Sequence, residues 1–93
     1  MSYSLCFFNE KGVSMAAIII LQLKRSPKVT EFIANTESQF QNYGFEKINE
    51  MPLIYFSEKG TTTDLNKILR LIKTNPDYRS CVQKCYNNIL RIV

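Results

Sequence analysis

Met15 to Lys24 reads MAAIIILQLK, seven apolar residues in a row that end in Gln22, Leu23 and Lys24, with Arg25 next. The run is too short for the ~20 apolar residues that a membrane-crossing helix needs. It is also misshapen for a signal peptide, because Glu10 and Lys11 precede it at a distance and Gln22, Lys24 and Arg25 stand where small cleavage-site residues belong. It reads as a buried strand over residues 16–23, apolar on both faces as expected at the centre of a sheet. What the protein does turns on the polar end of that strand.

Working outward, Tyr3 to Phe8 can form a strand with the turn NEKG at 9–12; equally, residues 1–14 can be an extension ahead of one domain over 15–93. Downstream, Ser26 and Pro27 suit a helix N-cap and first position. Val29, Phe32, Ile33, Phe40 and Tyr43 recur at helical spacing, which predicts a helix over roughly 27–42 that Gly44 can close in the left-handed conformation. FEKINEMPLIYFSEKG then supplies two strands, Phe45 to Asn49 and Leu53 to Ser57, around a turn containing Pro52. TTTD offers a Thr N-cap with Asp64 in the first turn of a helix. Leu65, Ile68, Leu69 and Ile72 line one face of that helix, and Lys67, Arg70 and Lys73 the other. Pro76 stops it, a short helical piece is expected between Asp77 and Tyr86, and NILRIV ends the chain as a strand. The order βαββα(α)β is α+β and ferredoxin-like: a four-stranded antiparallel sheet with helices on one face. The other face then needs a cover, such as a second copy of the chain, a partner, or the N-terminal extension.

The chain has 93 residues, enough for a single modest core, and contains neither His nor Trp. Without His, the commonest general base and metal ligand is missing. The three cysteines, Cys6, Cys81 and Cys85, are an odd count that fits reduced thiols in a cytoplasm better than a disulfide framework. Cys81 and Cys85, four apart on an expected helix, suit core positions, and a zinc site would have to recruit Cys6 from far away. With only three Gly, the sequence has no phosphate-cradling loop, dinucleotide fingerprint or nucleophile elbow. Net charge is +4. Up to Thr63 the cations and the acids cancel; beyond it Lys67, Arg70, Lys73, Arg79, Lys84 and Arg91 face only Asp64 and Asp77. A basic C-terminal portion suits a polyanion or an acidic partner. Phosphodiester chemistry without His is open to such a chain, since Lys and Arg can neutralise phosphate charge while Tyr, Ser and amide groups position atoms for attack by the RNA's own 2′-hydroxyl.

GFEKINEMPLIYFSEKGTTTDLNKILRLIK followed by CVQKCYNNILRIV resembles the virulence-associated protein D (VapD) family, ferredoxin-like proteins related to the second protein of CRISPR adaptation modules. The shared features are the apolar first strand, a long helix ending in Gly44 and Phe45, Tyr55 central in the third strand, and Val82, Lys84 and Arg91 around the last strand. The similarity spans residues 15–93. It implies a homodimer, an endoribonuclease activity on RNA, and toxin behaviour with an antitoxin protein as partner. Where the family pattern has an Asp at the end of the first strand, this chain has Gln22, which can orient a group but neither act as a base nor hold Mg²⁺ strongly.

The expected site therefore places Gln22, Tyr55 and Ser57 around the reacting bond and Lys24, Arg25, Arg79, Lys84 and Arg91 on phosphates, with no cofactor unless Mg²⁺ is recruited. Three functions fit: a VapD-like endoribonuclease, an inert relative that binds nucleic acid or protein because the carboxylate is gone, and a small module that binds a metabolite across its sheet.

Overall fold

The computed structural model describes residues 14–92, with side chains described from Met15 to Leu90. The expected strand at Tyr3 to Phe8, its turn at 9–12, and Cys6 lie outside the described residues. The elements are β1 (Ser14–Leu23), α1 (Val29–Asn42), β2 (Glu46–Glu50), β3 (Leu53–Ser57), α2 (Thr62–Lys73), the single turn α3 (Tyr78–Cys81) and β4 (Val82–Ile92). The sheet runs β2-β3-β1-β4 with every neighbouring pair antiparallel. This is the ferredoxin-like βαββαβ arrangement, with the two most apolar strands in the middle.

Side-chain alternation gives the sheet two unlike faces. Ala17, Ile19 and Leu21 of β1 and Leu53 and Tyr55 of β3 are fully buried, in one cluster with Phe32 and Phe40 of α1 and Leu65, Ile68 and Ile72 of α2. Both helices thus cover the same face. Ile18 and Ile20, and Ile54 and Phe56, alternate onto the other face and are only half-buried. Within the core the Phe40 and Tyr55 rings stack with centroids 3.6 Å apart and planes 5° from parallel. Thr36, one turn from both Phe32 and Phe40, is also fully buried; its hydroxyl donates to the Phe32 carbonyl at 2.9 Å, so the polar group is satisfied inside its own helix.

Two glycines are required by geometry. Gly44 closes α1 with φ +79°, the left-handed conformation that glycine adopts without strain. Gly60 lies over the sheet so closely that a Cβ there would sit 2.6 Å from the Ala17 Cβ and 3.0 Å from the Ser57 Cβ. The α2 cap is as expected, Thr61 Oγ1 accepting from the Asp64 N–H at 3.1 Å.

Two expectations are corrected. Ser26 is not the N-cap of α1. Lys28 holds that position, while Ser26 makes a preceding turn, its hydroxyl accepting from Lys28 N–H at 3.2 Å and its carbonyl from Val29 N–H at 3.2 Å. The helical piece after Pro76 is one turn, and β4 begins at Val82, six residues ahead of Asn88, where NILRIV starts. The reason is tertiary: β1 is ten residues long, and pairing its whole length draws Val82 to Tyr86 into the ladder, where local helical spacing loses to strand hydrogen bonds. Cys81 therefore ends α3 while Cys85 belongs to β4, so the two thiols do not share a helix face.

Candidate nucleic-acid interface

The site forms where β1 ends. Gln22 is opposite Lys84 in the β1–β4 ladder, and Ile20 is opposite Tyr86. By alternation these four side chains belong to the face without helices. The register slips between Gln22 and Leu23, where Leu23 pairs with Val82 and Gln83 is the extra residue. Such a bulge bends the strand end and re-aims the side chains beside it. Past the bulge the chain turns out of the sheet through Lys24 and Arg25, both exposed. That exit is pinned to α3: the Lys24 N–H donates to the Cys81 carbonyl at 2.7 Å, and Lys24 Nζ donates to the Arg79 carbonyl at 2.7 Å. The second bond uses one of the three ammonium N–H groups and leaves two for a ligand.

Beside this cluster is a groove of about 570 Å³ between the β1 end and the β2–β3 turn. Ile20, Leu23, Val29, Met51 and Pro52 give it apolar walls, Tyr86 an aromatic one, and Gln22, Lys24, Arg25 and Glu50 its polar groups. Glu50 Oε2 is 3.0 Å from Lys47 Nζ, and this hydrogen bond is the main reason the Lys47 ammonium holds its proton above its ordinary range. Lys24, Arg25 and Lys84 make no ion pair with any described residue, the two pairs there being Lys28–Asp77 and Lys47–Glu50. No group of three or more metal-ligating side chains gathers among the described residues, and no described helix is long and apolar enough to cross a membrane.

The other expected site residues lie elsewhere. Tyr55 faces the helix layer, fully buried, and its hydroxyl has no hydrogen-bond partner among the described residues. Burial, reinforced by the charges of Glu37 and Glu50, pushes the phenol up to about 12. Ser57 shares that face, nearly buried, at the far end of β3, opposite Ala17 and not Gln22. Arg91 is opposite Met15, seven residues along the ladder from Gln22 and so about 23 Å away at ~3.3 Å per residue; its side chain lies outside the described ones. Arg79 is exposed on α3, near the cluster only through its carbonyl. Gln22, Lys24, Arg25 and Lys84 come together; Tyr55, Ser57 and Arg91 do not join them.

Tyr86, Glu50 and Met51 complete the groove and were missed in sequence. The available signal was parity: once β4 starts at Val82, Lys84 and Tyr86 share a face and a neighbour. Cys85 has the opposite parity, and burial pushes its thiol up, away from nucleophile behaviour.

Fold and site together define a ferredoxin-like α+β protein with a cationic strand end. No protein-family model and no curated protein matches the chain. Among solved structures, the crystal structure of protein Atu4242 from Agrobacterium tumefaciens is similar at TM-score 0.44 and 13% identity, over 82% of this chain and 90% of that one.

Proposed function

We propose that this protein binds single-stranded RNA at the β1 strand end, with Lys24, Arg25 and Lys84 on phosphates, as an inert relative of the VapD endoribonucleases. The observation that carries the reading is the gathering of these three cations, none in an ion pair with a described residue, around an amide and beside a groove. Cations without protein counter-ions are the ordinary means of neutralising a nucleic-acid backbone. Single strands suit the site better than duplex, because an unstacked base can enter a groove that a base-paired one cannot reach.

Binding without cleavage is favoured by two placements. Gln22 cannot take a proton from a 2′-hydroxyl, and Tyr55 and Ser57 are on the far side of the sheet. The homodimer implied by the family resemblance has a suitable surface in the helix-free face, where Ile18, Ile54, Phe56 and Leu90 line up at half-buried or exposed positions. The groove lies at one end of that surface.

Fluorescence anisotropy of a labelled 20-nucleotide RNA across a salt series, with gel analysis for products with and without Mg²⁺, tests the proposal. Three phosphate contacts predict log affinity falling with log salt at a slope of about −2 per protomer, and intact RNA. No binding, or binding indifferent to salt, overturns it. Cleavage products overturn the inert reading and restore the endoribonuclease.

A further inference from the structure

The two helices that cover the sheet carry opposite charge. Over Val29–Asn42, α1 has Glu31 and Glu37 and neither Lys nor Arg. In α2 the one acid, Asp64, is in the first turn, and past it come Lys67, Arg70 and Lys73, all exposed. Each stands three residues from the next, so they form one row along the outside of the helix, ~9 Å from end to end at ~1.5 Å per residue. None makes an ion pair with a described residue, whereas Asp77, the acid next along the chain, is taken by Lys28 at 3.6 Å. A surface shaped by solubility alone intersperses the two signs. Sorting them between neighbouring helices makes a positive stripe and a negative one, which steer a polyanion toward α2 and away from α1.

The stripe joins the strand-end cluster. From Lys73 the chain passes through residues 74–77 into α3, and β4 starts directly after it, opposite Leu23 at the end of β1. The basic end of α2 is therefore at the same end of the sheet as Lys24, Arg25 and Lys84. Between them, α3 touches α1, α2 and β4 and exposes Arg79, whose carbonyl holds Lys24 Nζ at 2.7 Å. Burial pushes the Cys85 thiol up, while a hydrogen bond from Tyr78 and the charge of Lys73 oppose it, so Lys73 stands close to the residue that follows Lys84. Lys84 and Cys85 alternate onto opposite faces, and β4 is an edge strand, so only the rim of the sheet separates the two groups of cations. That rim carries Gln83, exposed and outside the β1 ladder.

We propose that the RNA footprint continues past the strand end, around the β4 edge and α3, onto the outer face of α2, where Lys67, Arg70 and Lys73 take three further phosphates. This rests on the RNA-binding reading for its ligand and adds the path of the strand. A single strand suits the path because its charges repeat evenly and its backbone bends. A duplex, stiff over ~150 base pairs, does not turn around the edge of a sheet.

The test is the salt slope of a 20-nucleotide single-stranded RNA, read by fluorescence anisotropy on the full chain and its variants. Six phosphate contacts at ~0.7 each predict a slope of about −4, of which the strand-end cations supply about −2. Lys67→Gln, Arg70→Gln and Lys73→Gln together should return the slope to about −2 and weaken binding at least about 10-fold at 0.1 M salt. Arg25→Ala with Lys84→Ala should give about −3. Lys67→Gln alone, clear of the last turn where Arg70 and Lys73 complement the helix dipole, should cost about 0.7 and keeps the test decisive if the triple variant unfolds. A parent slope near −2 that the α2 variants leave unchanged overturns the extended footprint and leaves the RNA reading standing. A slope lost with the α2 cations but indifferent to Arg25 and Lys84 overturns the strand-end reading and leaves α2 as the RNA surface. A polyglutamate peptide that binds as tightly as the RNA and is released by the triple variant makes the stripe a docking face for an acidic protein, which overturns the proposal. No RNA binding at any salt concentration ends both.

Discussion

The two faces of the sheet are built from the same strands and do opposite work. On the helix side, Ile19, Leu21 and Tyr55 meet a complete apolar layer, and even the polar members Thr36 and Ser57 are enclosed. On the other side, residues only one position away, Ile20, Gln22 and Tyr86, line a groove, with Lys84 opposite Gln22 in the ladder and exposed cations beside it. One step along a strand therefore separates a residue that holds the fold from one that can meet a ligand. Tyr55 is the instructive case. Its chemistry suits a catalytic group, but its parity puts it against Phe40.

The contrast breaks most visibly if helix-side substitutions leave the fold intact. Phe40→Ala removes the ring stacked on Tyr55 from a fully buried position, so a cost of ~3–5 kcal/mol is expected. Urea unfolding followed by far-UV circular dichroism reads this directly, and a loss below about 1 kcal/mol would mean that this face is not the core. Gly60→Val should cost ~1–3 kcal/mol in the same assay, because its side chain must displace Ala17 in the central strand or move the turn.

On the groove side, the same reasoning predicts lost affinity with little lost stability. Arg25→Ala and Lys84→Ala remove exposed charges that pair with no described residue, so unfolding midpoints should stay within about 0.5 kcal/mol of the parent. Each should weaken RNA binding similarly across sequences and reduce the salt slope by about 0.7, the single-strand value for one phosphate. A variant that binds as well as the parent at every salt concentration would remove its residue from the interface.

The fold was legible because periodicity carried it: the apolar run at 16–23, the helical spacing of Phe32 and Phe40, and the Thr61 cap each state a local preference that the tertiary structure keeps. The start of β4 was not legible, since CVQKCY has no local reason to be a strand and acquires one only by pairing with β1. That miss propagated into the site, because without strand parity Lys84 and Tyr86 have no assigned face. Lys24 and Arg25 could be placed from their position after a strand end. Tyr55 and Arg91 could not, as residue type and spacing say nothing about which face or which end of a ladder a side chain occupies. Thr36 interrupts the apolar spacing of α1 and so gives no sign of its burial, which is satisfied by a backbone carbonyl in its own helix.

The smallest expected effect sharpens the comparison most. The Tyr55 hydroxyl is buried without a partner among the described residues, so Tyr55→Phe should leave stability unchanged or raise it by up to ~1 kcal/mol, where an essential hydrogen-bonded phenol would cost stability. The pH dependence gives a second reading of the same group. Unfolded, the phenol titrates near 10; folded, burial pushes it up to about 12, so above pH 10 the unfolded chain sheds its proton first. Stability is therefore flat in this respect below pH 10 and falls as pH rises from 10 to about 12. Tyr78, pushed up to about 12 chiefly by burial, adds to the same decline. Tyr55→Phe should make the fall shallower without removing it, measured as the difference between variant and parent unfolding free energies at pH 9 and pH 11. An unchanged slope would mean that the Tyr55 hydroxyl reaches solvent, and with it that the helix-side face is less closed than its packing indicates. RNA affinity should be the same in both proteins, because the Tyr55 hydroxyl is buried on the covered face and its loss removes no charge and no lining group from the groove.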